Sequence, residues 1–189
     1  MRRTSIMSLE KILDAESVAI VGASKVETKR GFQAIRTLLD EKFEGAIYPV
    51  NPKEKSILGF KCYASISEIE APVDMALITT PAKTIPAILK DCGKKGVRGA
   101  VIIAGGFKET GEKGKKLEDE IVREAQSHNI RLIGPNTSGM MNLKRHMNLV
   151  GLHDVPRGDI ALLSQSGNMA LALMTEAKLK SRKGFSYYV

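Results

Sequence analysis

Two short segments have the residue types and spacing for phosphate chemistry. Gly22-Ala23-Ser24 follows an apolar, partly β-branched run, Ser17–Val21, and precedes a helical pattern that opens near Gly31. Backbone amides in such a turn, with the positive end of the helix behind them, receive a phosphate. Ser164-Gln165-Ser166-Gly167 also precedes a helical stretch, so two hydroxyls and the first amides there suit a phosphoryl group. Each segment has a plainer reading: a tight strand-to-helix turn for the first, N-capping by one serine for the second. Lys25, Lys29, Arg30 and Lys53 gather near the same predicted strand ends, where cations suit a ligand carrying both a pyrophosphate and a ribose phosphate. A solvated surface is the alternative for each of them.

The remaining reactive residue types form no constellation. His128, His146 and His153 lack metal-ligand spacing, and Cys62 and Cys92 have no partner cysteine nearby. Glu109, Glu112, Glu118, Asp119 and Glu120 read as a solvated helix start and face. No set of nucleophile, base and orienting group emerges. The full GxGxxG spacing is absent, and Asn51 stands where an NAD-binding fold places an acidic residue on the ribose. Nicotinamide chemistry is therefore disfavoured.

The elements that must position these segments alternate. Strands are expected at Ser17–Val21, Ala46–Val50, 74–79, 99–103 and 130–133. Helical spacing appears at 31–39, around Ile85, Ile88 and Leu89, and at 112–127, where Leu117, Ile121 and Ala125 share a face. Strand and helix alternating through short connections imply a Rossmann-like, doubly wound parallel sheet. Its strand ends carry Gly22-Ala23-Ser24, Asn51-Pro52-Lys53, Thr80-Pro81, Gly105-Gly106-Phe107 and Gly134-Pro135-Asn136. Small residues there let a ligand approach the backbone. After Gly139 the pattern loosens, then resumes with a strand at 159–163, a helix at 169–180 and an apolar run at 185–189. We expect a domain over 1–145, a linker over 146–158, and over 159–189 the start of a second α/β unit. A lone β-α-β piece cannot bury both faces of its strands, which suggests a fragment, a split gene product or a subunit completed by a partner.

Composition narrows the partners. The chain is 43% hydrophobic and 26% charged, without a run approaching the ~20 apolar residues of a membrane helix. The basic start Met1-Arg2-Arg3 leads into a stretch with Glu10, Lys11 and Asp14, not into the apolar segment of a secretory signal, so a cytoplasmic location is expected. A net charge of +8 favours a polyanionic partner. Nucleic acid is disfavoured because tryptophan is missing, aromatics make up 5%, and the lysines are scattered.

Six segments together resemble the NDP-forming acyl-CoA synthetases. They are VGAS (21–24), IYPVNPK (47–53), DMALITTPA (74–82), GAVIIAGGFKETGE (99–112), LIGPNTSGM (132–140) and ALLSQSGN (161–168). Their order and spacing are similar to those of the ADP-forming acetyl-CoA synthetase α chain and, more distantly, the succinyl-CoA synthetase α subunit. The resemblance implies a first domain that binds coenzyme A or acyl-CoA, followed by the start of a flavodoxin-like domain. It places Gly22, Ala23, Ser24 and Lys25 near the cofactor's phosphates and Lys53 near its nucleotide end. Thr80, Pro81 and Ala82, with Ala104, Gly105, Gly106 and Phe107, would line the adenine and pantetheine path by backbone contact. In such enzymes acyl-CoA and phosphate give an acyl phosphate, and a phosphorylated histidine passes the phosphoryl group to ADP. Ser164, Ser166 and Gly167 match the helix start that stabilises that phosphohistidine.

Two departures bear on activity. Thr28 stands where family members often have glycine, which implies a wider or differently capped turn. The family's phosphorylated histidine belongs beyond residue 189, no histidine here occupies its motif, and no ATP-grasp portion is present. The 189 residues are therefore expected to bind the cofactor without catalysing the ligase reaction alone, and to work with an ATP-grasp β subunit or domain in an oligomer. A stand-alone or regulatory CoA-binding module is one alternative, and an NAD(P)-dependent oxidoreductase another.

Overall fold

The computed structural model describes residues 12–180 and 183–189; residues 1–11, most of the stretch weighed against a secretory signal, lie outside these. Five parallel strands form the main sheet: β1 (Ser17–Val21), β2 (Ala46–Val50), β5 (Met75–Ile78), β6 (Gly99–Ile102) and β7 (Arg131–Ile133). The remaining pair in this part, β3 (Ser56–Ile57) and β4 (Phe60–Lys61), is a small hairpin outside that sheet. The spatial order is β2-β1-β5-β6-β7, all in parallel register. Every residue of β1, β5 and β6 is buried, as a strand covered on both faces requires.

Alternate residues of these strands feed two cores. Val18, Ile20, Met75, Leu77 and Val101 pack against Ala34, Ile35 and Leu38 of α1 (Arg30–Asp40). Ala19, Val21, Ala76, Ile78, Ala100 and Ile102 pack against Ile85, Leu89 and Cys92 of α2 (Ile85–Lys95) and Ile121 and Ala125 of α3 (Glu112–Ser127). Helices on both faces make the sheet doubly wound, as the alternation implied. α2 ends in Gly96 at φ +81, the left-handed conformation that closes helices.

The second unit is a four-stranded sheet in the order β10-β11-β8-β9. β10 (Arg157–Leu162) and β11 (Phe185–Tyr188) are parallel and joined through α4 (Gly167–Lys180). β8 (Met141–Asn142) and β9 (Met147–Asn148) form a hairpin whose β8 pairs antiparallel with β11. The hairpin straddles residue 145, where the sequence suggested a boundary, so the stretch read as a linker begins inside paired structure. Two buried asparagines explain it. Asn142 accepts from the amides of Lys144 and Arg145 and donates to Leu13 O and Asp14 Oδ1, both at 2.7 Å. Asn148 accepts from the amides of Val150 and Gly151 and donates to Leu152 O. Side chains here supply the satisfaction that longer strands would get from a ladder.

The two units are tied together at several points. Arg30, at the start of α1, donates to the carbonyls of Val150 (2.8 Å), Ser138 (3.0 Å) and Leu149 (3.3 Å). Arg157 of β10 meets Glu41 at 3.1 Å and His146 Nε2 at 2.8 Å, while Tyr187 donates to Asp14. In the second unit Ile160, Leu163, Met169, Leu173 and Leu179 are exposed. No helix among the described residues is long and apolar enough to cross a membrane.

Candidate functional site

The chain leaves β1 for β2 on one side and returns to β5 on the other, so the connections after β1 and β5 diverge and open a crevice beyond the carboxyl ends of the strands. Gly22 sits at this switch point with φ +91. A Cβ on it would lie 2.6 Å from Thr79 Oγ1 and 2.9 Å from Thr80 Cγ2. Gly31, in the first turn of α1, is as constrained: a Cβ there would lie 2.2 Å from Gly22 O. The two glycines let the helix start press directly onto the turn, which brings amides close to any bound group.

Not every expected contact is left for a ligand. The amides of Gly22 and Ala23 both bond Val50 O, at 3.0 and 3.3 Å, so they close the sheet instead of cradling a phosphate. Ser24 is buried and its Oγ accepts from Val26 N at 3.1 Å. The start of α1 has no side-chain cap at Lys29, which leaves its first amides to an outside acceptor. Among the cations, Arg30 is spent on its three carbonyls, and burial lowers its pKa. Lys25 pairs with Glu54 at 2.7 Å. Lys29 and Lys53 are exposed and make no ion pair among the described residues, so they are the positive charges of this group left for a ligand.

Asn51 joins the loops after β1 and β2. Its Nδ2 donates to Ala23 O at 2.7 Å and its Oδ1 accepts from Lys53 N at 2.9 Å. An acidic side chain could not make the first of these bonds. Next to it Cys62 is buried, and loss of hydration raises its pKa.

The loops after β5 and β6 continue the crevice. Thr80 is adjacent to Gly22 and accepts from Thr84 Oγ1 at 2.9 Å. A Cβ on Gly106 would lie 3.4 Å from Ala82 Cβ, so these loops touch. The Phe107 side chain is fully buried in the core, which leaves only its backbone to face a ligand. Gly106 N donates to Glu109 Oε1 at 2.6 Å and Lys108 N to Glu118 Oε2 at 3.1 Å. The bond from Gly106 holds the Glu109 carboxyl below the usual carboxylate range. These two carboxylates were read from the sequence as solvated helix residues; their loop contacts leave no local pattern.

Ser164, Ser166 and Gly167 line a separate cleft of about 1040 Å³ together with Glu109, Asn136 and Ser138. Ser166 caps α4 by accepting from Met169 N at 3.3 Å. Its hydroxyl proton stays available as a donor. Ser164 Oγ bonds within the turn, accepting from Ser166 N and donating to Ser166 O at 3.1 Å. A Cβ on Gly167 would lie 3.1 Å from Ser138 Oγ, which hydrogen-bonds Tyr188 OH at 2.8 Å. The expected residues thus fall into two groups, one at the switch point and one at the start of α4. The 104–107 loop spans them: Gly106 approaches Ala82, and Gly105 approaches Asn136. Among the described residues no cluster of His, Cys, Asp and Glu suits a metal ion.

A doubly wound sheet with glycine at the switch point, an uncapped helix start behind it and an unpaired lysine beside it defines an α/β domain for a phosphate-bearing cofactor. Residues 16–142 match the family described as CoA binding domain, and the chain belongs to that family. Its cofactor is coenzyme A. Over 182 residues it is 43% identical to acetate–CoA ligase (ADP-forming) I of Archaeoglobus fulgidus, a match covering 96% of this chain and 26% of that protein. It is 44% identical over 173 residues to the α subunit of the corresponding ligase I of Pyrococcus furiosus, covering 89% of this chain and 37% of that subunit. Acetyl-coenzyme A synthetase 1 of Ca. Korarchaeum cryptofilum, solved with phosphate and ADP, superposes with a TM-score of 0.91 at 40% identity, over 96% of this chain and 39% of that one. The chain therefore spans about a quarter to two fifths of the relatives it matches.

Proposed function

We propose that the chain is the CoA-binding portion of an NDP-forming acyl-CoA synthetase, whose complete reaction converts acyl-CoA, ADP and phosphate to acid, CoA and ATP. The observation that carries this reading is the pairing of the two groups through one loop. The switch-point crevice, with Gly22, Ser24, Lys25, Lys53, Thr80 and Pro81, receives the nucleotide end of the cofactor. The backbone of Ala104–Phe107 guides the pantetheine towards the cleft in front of Ser164, Ser166 and Gly167, where phosphate meets the thioester.

In that cleft the Ser166 hydroxyl and the first amides of α4 stabilise the phosphoryl group. The histidine that carries the phosphoryl group and the ATP-grasp part that binds the nucleotide come from another segment or subunit. The similarity to ADP-forming ligases supports this division, as does the number of large apolar side chains the second unit exposes, Ile160, Met169, Leu173 and Leu179 among them. The domain division 1–145, 146–158 and 159–189, a cytoplasmic setting and an oligomeric assembly belong to the same proposal.

Calorimetric titration with CoA, NAD and ATP tests the reading. CoA binding that NAD does not displace, weakened about tenfold in Lys53→Ala as expected for a lost charge-assisted contact, supports it. No CoA binding at millimolar ligand overturns it.

A further inference from the structure

Ser138 belongs to the segment between the two units, and three elements meet on it. Its carbonyl accepts from Arg30 Nη2 at 3.0 Å, and its hydroxyl hydrogen-bonds Tyr188 OH at 2.8 Å. A Cβ on Gly167, the first residue of α4, would lie 3.1 Å from the same hydroxyl oxygen. Arg30 is in turn the first residue of α1. The amides of Phe32 and Gln33 turn to Lys29 O, which leaves those of Arg30 and Gly31 at the open end of the helix, beside the turn at Gly22. One residue thus meets the switch-point crevice with its backbone and the second unit with its guanidinium. Tyr188 closes β11 and is only 2% exposed, so packing holds its hydroxyl on Ser138.

We propose that Ser138 is a positioning residue that couples the crevice to the cleft. A nucleotide seated at the start of α1 fixes Arg30, Arg30 fixes Ser138, and Ser138, backed by Tyr188, fixes the start of α4. The inference rests on the reading that the nucleotide end of the cofactor lies in the crevice. A ligand that orders one end of such a chain of contacts leaves less to be ordered at the other, and the coupling is reciprocal. The consequence is an order of events: the Ser164–Gly167 turn is set for a phosphoryl group once the cofactor is held.

The test uses adenosine 3′,5′-bisphosphate, the nucleotide end of coenzyme A without its pantetheine arm, so that no part of the ligand extends along the 104–107 loop. Amide hydrogen exchange, resolved by NMR, is read at Ser166, Met169 and Ala170, whose amides bond Ser164 Oγ, Ser166 Oγ and Ser166 O. Saturating bisphosphate is expected to slow exchange there at least about fivefold, the low end of typical coupling between sites. In Tyr188→Phe, which keeps the ring and removes the hydroxyl, the slowing is expected to fall within about twofold while the bisphosphate still binds within about threefold of its affinity for the unsubstituted chain. A merely structural role for Tyr188 would alter exchange without ligand and leave the response to ligand in place. No slowing in the unsubstituted chain overturns the inference, as does CoA binding without bisphosphate binding. A slowing that survives Tyr188→Phe also overturns it, because the ligand then acts on the cleft directly. Failure of CoA itself to bind overturns the underlying reading, and the inference with it. Where circular dichroism shows a folding defect in Tyr188→Phe, Ser138→Ala, which keeps the carbonyl and removes the hydroxyl, must abolish the slowing.

Discussion

The carbonyl oxygen of Gly22 and the α-carbon of Gly31 are so close that a methyl group on Gly31 would lie 2.2 Å from that oxygen. The obstacle is backbone on both sides, so no side chain can swing aside. Gly31→Ala gains helix propensity of up to about 1 kcal/mol, but overpacking against backbone typically costs about 1–3 kcal/mol. The clash wins: urea denaturation is expected to show net destabilisation, and titration a weaker affinity for CoA as α1 moves off the turn. Unchanged stability in Gly31→Ala would refute the close approach.

Arg30 reads from sequence as one of four ligand cations, yet its guanidinium joins three carbonyls of the segment leading into the second unit. Hydrogen bonds from a charged donor contribute about 1.5–3 kcal/mol each, less when they share one side chain. Arg30→Met is therefore expected to lose about 3 kcal/mol of stability in urea denaturation. Arg30→Lys should recover only part of it, because an ammonium lacks the planar fork that reaches Val150, Ser138 and Leu149 together. A full recovery by lysine would show that charge alone, not the fork, holds this junction.

Burial under the main sheet raises the Cys92 thiol from the ordinary range near 9 up to about 12. The folded chain therefore binds a proton that the unfolded chain gives up, and the associated stability is complete below pH 9 and is lost as pH rises towards 12. Over that window the slope reaches about 1.4 kcal/mol per pH unit from this group. Lysines titrate in the same range, so the informative quantity is the difference between the chain and Cys92→Ala. The variant should be less stable at neutral pH, from the small cavity, and the gap should narrow on the alkaline side. A gap that stays constant across the window would count against a buried protonated thiol.

Much of the architecture was visible in the residues. Ser17–Val21 and Ala46–Val50 are strands with the bounds expected, because continuous apolar runs ending in Gly22 and Asn51 mark buried parallel strands and their exits. The hairpin of β8 and β9 was not visible, since each strand is two residues long and too short to show a period. β10 starts two residues earlier than expected, and α4 starts at Gly167 instead of Met169, one residue after its serine cap. At the candidate site, residue type points to Gly22 and the Ser164–Gly167 turn, which the structure places at the switch point and at the cleft. Long-range partners decided the rest: Arg30 and Lys25 look alike in sequence to Lys53, and only the placement of Val150 and Glu54 tells them apart.

Asn51 yields the sharpest discrimination between cofactors. A nicotinamide-binding relative of this fold would use an acidic residue here, pointing at the ribose. In this chain the amide side chain is turned back to Ala23 O and to Lys53 N, so it sets the spacing between the turn after β1 and the lysine after β2. Asn51→Asp keeps the acceptor for Lys53 N but replaces the donor to Ala23 O with a negative oxygen facing another oxygen. The expected result is a loss of about 1–3 kcal/mol in stability, the cost of an unpaired buried carbonyl, and at least a tenfold fall in CoA affinity as the loops separate. NAD affinity should not appear, because the acidic group is held where it repels Ala23 O and the ligand phosphates alike. Parallel titration of Asn51→Asp with CoA and NAD checks both outcomes, and a gain of NAD binding would mean that Asn51 faces the ligand and not the neighbouring loop.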